Sequence, residues 1–397
     1  MRVLYIHGTN MPPPTDRKRD PFFLLSEKLE GDILQPIWFT EPAGVDKELG
    51  SGSYPVYQSG KFRYHWFLSG LTGGLKKKLA LIWFYISTGL RIHREQPIDC
   101  VVTYSHMATG LCGVILKLLT GARLIVEITT SPGLSYTAEV RKPGLRDRIK
   151  LLYSYFCLHV CLWSCDRAQL RAPGLLTPYR MLRKVPVSVM TGFVPVSVIP
   201  SHVDGEETSI LLVGAPWYLK GADLLIDAFR RLSPDFPDVK LKLLGHFPSP
   251  EGDPLRALAA GSPQIEILKA RPNPEVMEIL SKASVFVLPS RCEGTPRVVI
   301  EAMASGIPAV GSDVGGIPYL IRDDQTGFVV PVGDVDALEE RLRQLLSDAP
   351  LRARMGACGY ETAHANFGEQ AYVERFSRAV EDVVRGRSNG LTVVERT

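Results

Sequence analysis

Short apolar runs alternate with helical patterns between residues 209 and 347, and no other feature of this chain restricts its fold as much. Strands are predicted at 209–213, 239–244, 265–268, 285–288 and 308–311. Helices are predicted at 222–232, 253–260, 273–282, 298–305 and 335–347. The run Val285-Phe286-Val287-Leu288 is apolar at every position. A strand with one wet face would alternate, so this one has to be covered on both sides, as in a parallel sheet between helices. Strand–helix alternation of this kind imposes right-handed crossovers.

The first half repeats the scheme less regularly. A strand is expected at 1–6, a polar, proline-rich loop at 8–20, a helix at 22–29, and an irregular stretch rich in Gly, Pro and aromatics at 36–74. A helix at 75–91 carries Leu79, Ile82, Trp83, Ile86 and Leu90 on one face. A βαβ unit follows, with a strand at 99–104, a helix at 109–119 stopped by Gly121, and a strand at 123–128. A long apolar helix near 146–163 leads into short strands at 185–190 and 196–199. The chain has 397 residues, too many for one comfortable core. The expected architecture is α/β: two doubly wound Rossmann-like domains facing an interdomain cleft, with ligand at the carboxyl ends of the strands. The domains are expected at 1–200 and 207–367, separated by the polar segment 201–207. A C-terminal helix at about 368–386 is expected to pack back on the first.

Charge and cysteine content exclude some classes. A formal charge of +4 demands no nucleic acid. Two basic runs, Arg17-Lys18-Arg19 and Lys76-Lys77-Lys78, read first as solvated loops or helix ends. The seven cysteines include no C-x₂-C pair, so neither a zinc ribbon nor a thioredoxin motif is indicated. Cys157, Cys161 and Cys165 stack on one helix face near His159, but one helix gives poor tetrahedral geometry for a metal. Reduced core thiols in a cytoplasmic protein are expected instead. No signal peptide pattern follows Met1. The apolar stretches 79–86 and 151–163 fall short of the roughly 18–20 residues a membrane-spanning helix needs.

Chemistry concentrates between Val285 and Val332. The buried strand ends at Pro289-Ser290, and a loop leads into Glu293-Gly294-Thr295-Pro296-Arg297 and on to Glu301. Pro296 suits the first helical position, where its missing N–H costs nothing. Gly294 and Thr295 would present backbone N–H groups at a helix start, a seat for phosphate. Carboxylates on either side can each accept hydrogen bonds from two sugar hydroxyls. The plainer reading of the same pair is a capping acid and a surface glutamate.

The stretch E-G-T-P-R-V-V-I-E-A-M-A-S-G-I-P-A-V-G-S-D-V-G-G-I-P resembles the E-x₇-E region of glycosyltransferase family 4, which has the GT-B fold. The resemblance continues through Asp324–Pro331 and Gly333-Asp334. Upstream it takes in Leu211–Gly214 and Lys220–Phe229, so that roughly 207–345 is covered. It implies retaining transfer from a nucleotide-diphosphate sugar, without cofactor or obligatory metal, to a glycan, lipid-linked or small-molecule acceptor, as in cell-surface polysaccharide or glycolipid synthesis. By that analogy Glu301 holds the ribose and Glu293 the donor sugar. Gly214, Gly294, Thr295 and Pro296 line the diphosphate, and Lys220 stabilises charge on the leaving group.

Two departures stand out. The family usually has Arg directly after the Val-Gly pair, where this chain has Ala215. Arg297 either replaces that cation or faces solvent. In the first half, His7-Gly8 precedes a proline run in place of a Gly-Gly loop, and Thr129 stands where the family carries His. Gly8, Thr129 and His106 are therefore the acceptor-side candidates. Glu127 is either a buried paired acid or an acceptor contact. The basic start and aromatic body of helix 75–91 suit peripheral contact with the inner face of a membrane. Three rivals keep other chemistry in view. One is a GT-B-shaped sugar-nucleotide epimerase, and another a non-catalytic sugar-nucleotide-binding protein. The third, a nicotinamide oxidoreductase, is disfavoured because no G-x-G-x-x-G follows an expected strand.

Overall fold

The computed structural model describes residues 1–8, 20–37, 57–68, 74–129, 144–173, 185–203, 207–245 and 254–387. Arg17-Lys18-Arg19, residues 130–132 and the centre of the 201–207 segment lie outside them. The described residues fall into two compact units, one within 1–191 and continuing from Tyr372, the other Gly192–Ala371. The boundary therefore lies at 191/192. Val194 and Val196 are core residues of the second unit, against Phe286, Met303 and Phe367. Val196–Val198 form a 3₁₀ turn where a strand was expected. His202 N donates to Ser305 O (2.6 Å) and Val203 N to Ser281 O (3.0 Å), so this end of the polar segment is tied into the second unit.

The first unit holds β1 (Arg2–Ile6), β2 (Glu30–Ile37), β3 (Tyr57–Ser59), β4 (Phe62–Leu68), β5 (Cys100–Thr103), β6 (Arg123–Ile128), β7 (Arg167–Leu170) and β8 (Val187–Val189). They form one sheet in the order β3-β4-β2-β1-β5-β6-β7-β8, parallel except for the β3–β4 pair. Helix α1 (Pro21–Leu25) connects β1 to β2. Helices α2 (Gly74–Glu95), α3 (Ala108–Thr120) and α4 (Leu145–Ser164) make the connections that run the opposite way along the sheet. Right-handed crossovers thus gather α2, α3 and α4 on one face, with α3 packed between the other two.

The expected helix at 22–29 ends early, at Leu25, because Glu30 already pairs with Arg2 as the start of β2. Strands β2 and β4 escaped the apolar pattern for a physical reason. Asp32, buried in β2, accepts from Arg2 Nη2 (2.7 Å), Arg63 Nε (2.8 Å) and His65 Nε2 (2.8 Å). Paired charge here occupies positions that apolar side chains would otherwise fill.

The second unit contains β9 (Ser209–Val213), β10 (Lys240–Gly245), β11 (Ile265–Lys269), β12 (Val285–Leu288), β13 (Ala309–Ser312) and β14 (Gly327–Val330). They pair in the all-parallel order β11-β10-β9-β12-β13-β14. Helices α5 (Ala222–Leu232), α6 (Pro254–Ala259), α7 (Asn273–Ser281), α8 (Arg297–Ser305), α9 (Ile317–Leu320), α10 (Val335–Ser347) and α11 (Ala349–Asn366) complete it. Helix α12 (Glu369–Val384) starts here and belongs to the first unit from Tyr372 onward. Val285 and Val287 enter the core under α5 and α10, while Phe286 and Leu288 enter the opposite core under α8. Each such burial contributes roughly 1.5–3 kcal/mol, which is why β12 carries no polar residue. The chain leaves β9 and β12 in opposite directions along the sheet, and the crevice this opens at their carboxyl ends is where such sheets bind ligands.

Candidate active site

Two loops wall the crevice between β9 and β12. The first, 214–221, carries Lys220; the second, 289–296, carries Glu293. Lys220 Nζ donates to Glu293 Oε1 in an ion pair, and Ser290 Oγ donates to the same oxygen at 3.0 Å. The stem of Lys220 runs along Gly214, where a Cβ would stand 3.3 Å from its Cγ and Cε. Gly221, at φ +70°, passes so close to Pro289 that a Cβ would overlap the proline carbonyl oxygen. Gly315, at φ +59°, is pressed in the same way against the Glu293 carbonyl, and Gly316 N donates to Gly294 O at 2.5 Å. Backbone contacts that only glycine permits therefore fix where Lys220 and Glu293 stand.

Arg291 locks the two loops together, and sequence reasoning missed it. Its backbone N donates to Leu219 O (2.8 Å) and its Nη1 to Tyr218 O (2.7 Å). Both Nη atoms reach the Asp223 carboxylate at 2.7 Å, and the guanidinium lies 4.1 Å from the Tyr218 ring centre. A bidentate pair of this kind is specific in geometry as well as energy. Its partners lie 68 and 73 residues away, so no local spacing announces it.

Pro296 is not the first helical residue. It is the N-cap of α8, extended at ψ 112°, and the helix begins at Arg297. The extended ψ keeps the proline outside the helix while its carbonyl accepts from Val299 N at 3.2 Å. No side chain caps α8 and its first turn has no acid, so Gly294, Thr295 and the positive end of the helix dipole meet without an anion built into that turn. Glu301, four residues on, is buried. Burial pushes its carboxyl above the usual range, and the Arg297 guanidinium opposes that shift. Arg297 Nη2 is 3.9 Å from Glu301 Oε1, with 53% of its side chain exposed. This largely exposed cation therefore stands beside the buried Glu301 carboxylate.

The first unit has its own switch point, between β1 and β5. Gly8 follows β1, and a Cβ there would touch the Thr109 methyl at 3.4 Å. His106 turns inward: it is 3% exposed and bonds Ser154 Oγ of α4 at 3.1 Å. Burial holds it neutral, with its pKa down to about 4. It is a core histidine, which removes the imidazole from the acceptor-side candidates. Thr129 follows β6 and is half-buried. Glu127 is a buried paired acid, accepting from Tyr5 OH (3.1 Å) and Arg171 Nη2. The Arg171 guanidinium lies 5.4 Å from the Tyr104 ring, which packs against His7 at 4.2 Å. Cys157 and Cys161 are buried while His159 is exposed, so those side chains do not converge.

A family model described as glycosyl transferases group 1 matches residues 199–362. N-acetyl-alpha-D-glucosaminyl L-malate synthase of Bacillus anthracis is 35% identical over 115 residues, 29% of this chain and 30% of that enzyme. The match thus spans under a third of that relative's length. Among solved structures, sucrose-phosphate synthase from Thermosynechococcus elongatus superposes with a TM-score of 0.75 at 17% identity, over 97% of this chain and 99% of that one. Anabaena Alr3699/HepE in complex with UDP gives 0.68 at 14% identity, over 96% and 100%. These likenesses extend the fold resemblance, a GT-B pair of Rossmann-like domains, to nearly the whole chain.

Proposed function

We propose, from the premise that residues 199–362 form a glycosyl transferases group 1 domain, that this chain transfers a sugar from a nucleoside-diphosphate sugar to an acceptor hydroxyl with retention of anomeric configuration. One observation carries the reading. Lys220, Glu293 and the uncapped start of α8 converge at the carboxyl-end switch point of the second unit, held there by backbone contacts. Relatives named for sugar transfer to small molecules and to a phosphatidylinositol mannoside support the class.

The chemistry follows from the residues. The donor diphosphate takes the α8 start and Lys220, which releases Glu293 from its ion pair to accept from donor-sugar hydroxyls. Glu301 accepts from the ribose hydroxyls. The C1–O bond to the β-phosphate breaks, with its electron pair going to the phosphate oxygen, where Lys220 stabilises the growing charge. One such donor in a dry site is worth ~3–4 kcal/mol of barrier. The acceptor oxygen bonds C1 from the same face, and its proton passes to the departing phosphate oxygen, so no separate strong base is required. The route uses no metal. Acceptor choice belongs to the first unit, with Gly8 and Thr129 at its strand ends.

Incubation with UDP-, GDP- and ADP-sugars and an acceptor panel, followed by NMR of the product, tests this. A glycoside with the donor's own anomeric configuration is the expected product. An inverted product refutes the same-face route. Free altered sugar from donor alone identifies an epimerase instead.

A further inference from the structure

The three-helix layer of the first unit has an outer face that sugar transfer does not use. Helix α4 is apolar on two sides. Ser154, Cys157, Leu158, Cys161 and Leu162 are buried. Leu145, Ile149, Leu152, Phe156 and Trp163 form a second stripe that is exposed, Phe156 at 60% and Trp163 at 87%. A helix apolar all round normally has both sides covered, and isolated exposed leucines need no explanation, but a full stripe does. The neighbouring helices add Leu79 and Trp83 from α2 and Leu118 from α3, all exposed.

Charge says what covers this face. Helices α2, α3 and α4 carry nine Lys or Arg against two acids, a net of seven positive charges, whereas the whole chain nets four. The remainder of the molecule is therefore net acidic, and the basic excess sits on the apolar layer. Lys76, Lys77 and Lys78 occupy the first turn of α2, while Arg146, Arg148 and Lys150 occupy the first turns of α4. Cations at helix starts oppose the helix dipole, so folding alone does not favour them there. Both helices precede strands of one parallel sheet and run against them, which places the two basic starts at the same end of the layer, the end where β1, β5 and β6 finish.

We infer that this face docks on an anionic lipid bilayer, with the α4 stripe in the acyl boundary and the two basic helix starts on the headgroups. Apolar stripe and flanking cations are the two components of an interfacial helix, and long basic side chains reach the headgroups while their stems stay apolar. Among the described residues no helix is long and apolar enough to cross a membrane, so the layer lies on the surface. A second copy fits less well, because a two-fold pair would set one basic face against another. The inference does not depend on the sugar-transfer reading, since it concerns residues outside that site.

Flotation with phosphatidylcholine vesicles, and with vesicles of equal parts phosphatidylcholine and phosphatidylglycerol, tests it without any activity assay. Binding to the anionic vesicles is expected, roughly tenfold or more above the neutral ones and falling with salt. The pair Phe156→Ser/Trp163→Ser is expected to abolish flotation while melting like wild type. The set Arg146→Glu/Arg148→Glu/Lys150→Glu, which leaves the apolar stripe intact, is expected to weaken it on the order of 100-fold. Absence of flotation on anionic vesicles, or equal flotation by all variants, overturns the inference. So does a lipid-free dimer in light scattering that the Phe156/Trp163 pair converts to monomer.

Discussion

Glu301 is held between two opposing demands. Burial raises its proton affinity, so ionising it in the folded chain costs free energy, while in the proposed donor complex ribose hydroxyls that donate to it would favour the ionised form. An acid whose folded pKa lies above its unfolded value keeps full stability below the unfolded pKa and loses it as pH climbs through the raised value. Glu301→Gln removes the charge. It is expected to raise the thermal midpoint at neutral pH, with the gain vanishing below about pH 4. It is also expected to weaken donor binding by about tenfold or more, the worth of a hydrogen bond to a charged group. Melts across a pH series, paired with donor titrations, check both. A lower midpoint at neutral pH contradicts the burial cost, and unchanged affinity contradicts the ribose role. The E-x₇-E spacing was visible in the sequence, but the burial that gives Glu301 its cost was not, because it depends on what packs over α8.

The loops between elements carry the site, and glycine sets their spacing. Gly221 occupies a left-handed conformation and touches the Pro289 backbone. Gly221→Ala is expected to cost roughly 1–3 kcal/mol of stability and to weaken nucleotide binding further by moving Lys220. Urea denaturation alongside nucleotide titration measures the two losses, and wild-type values for both rule out the clamp. Elements with clean periodicity were legible to the residue: β9, β12, α5 and α10 fall where the apolar pattern put them. Others were hidden by polar groups inside strands. Asp32 in β2 is satisfied by Arg2, Arg63 and His65 from elsewhere, and Arg167 is buried within β7. Arg291 was invisible because its partners converge only after folding.

For the molecule as a whole, the second unit was readable because its site lies in two short loops, each beside the strand that aims it. The first unit was not, because its strand-end cluster brings together Tyr5 of β1, Glu127 of β6, and Tyr104 and Arg171, which directly follow β5 and β7. His106 shows the same limit, since only packing against Ser154 distinguishes a core imidazole from a catalytic one. The most direct measurement is calorimetric titration of the nucleoside diphosphate that stabilises the protein most, into wild type and Lys220→Ala, each checked for unchanged melting without ligand. With the diphosphate on Lys220 and the α8 start, the variant is expected to bind on the order of 100-fold more weakly, while the matching nucleoside without phosphates binds both proteins alike. Equal diphosphate affinity for the two proteins would place the phosphates elsewhere.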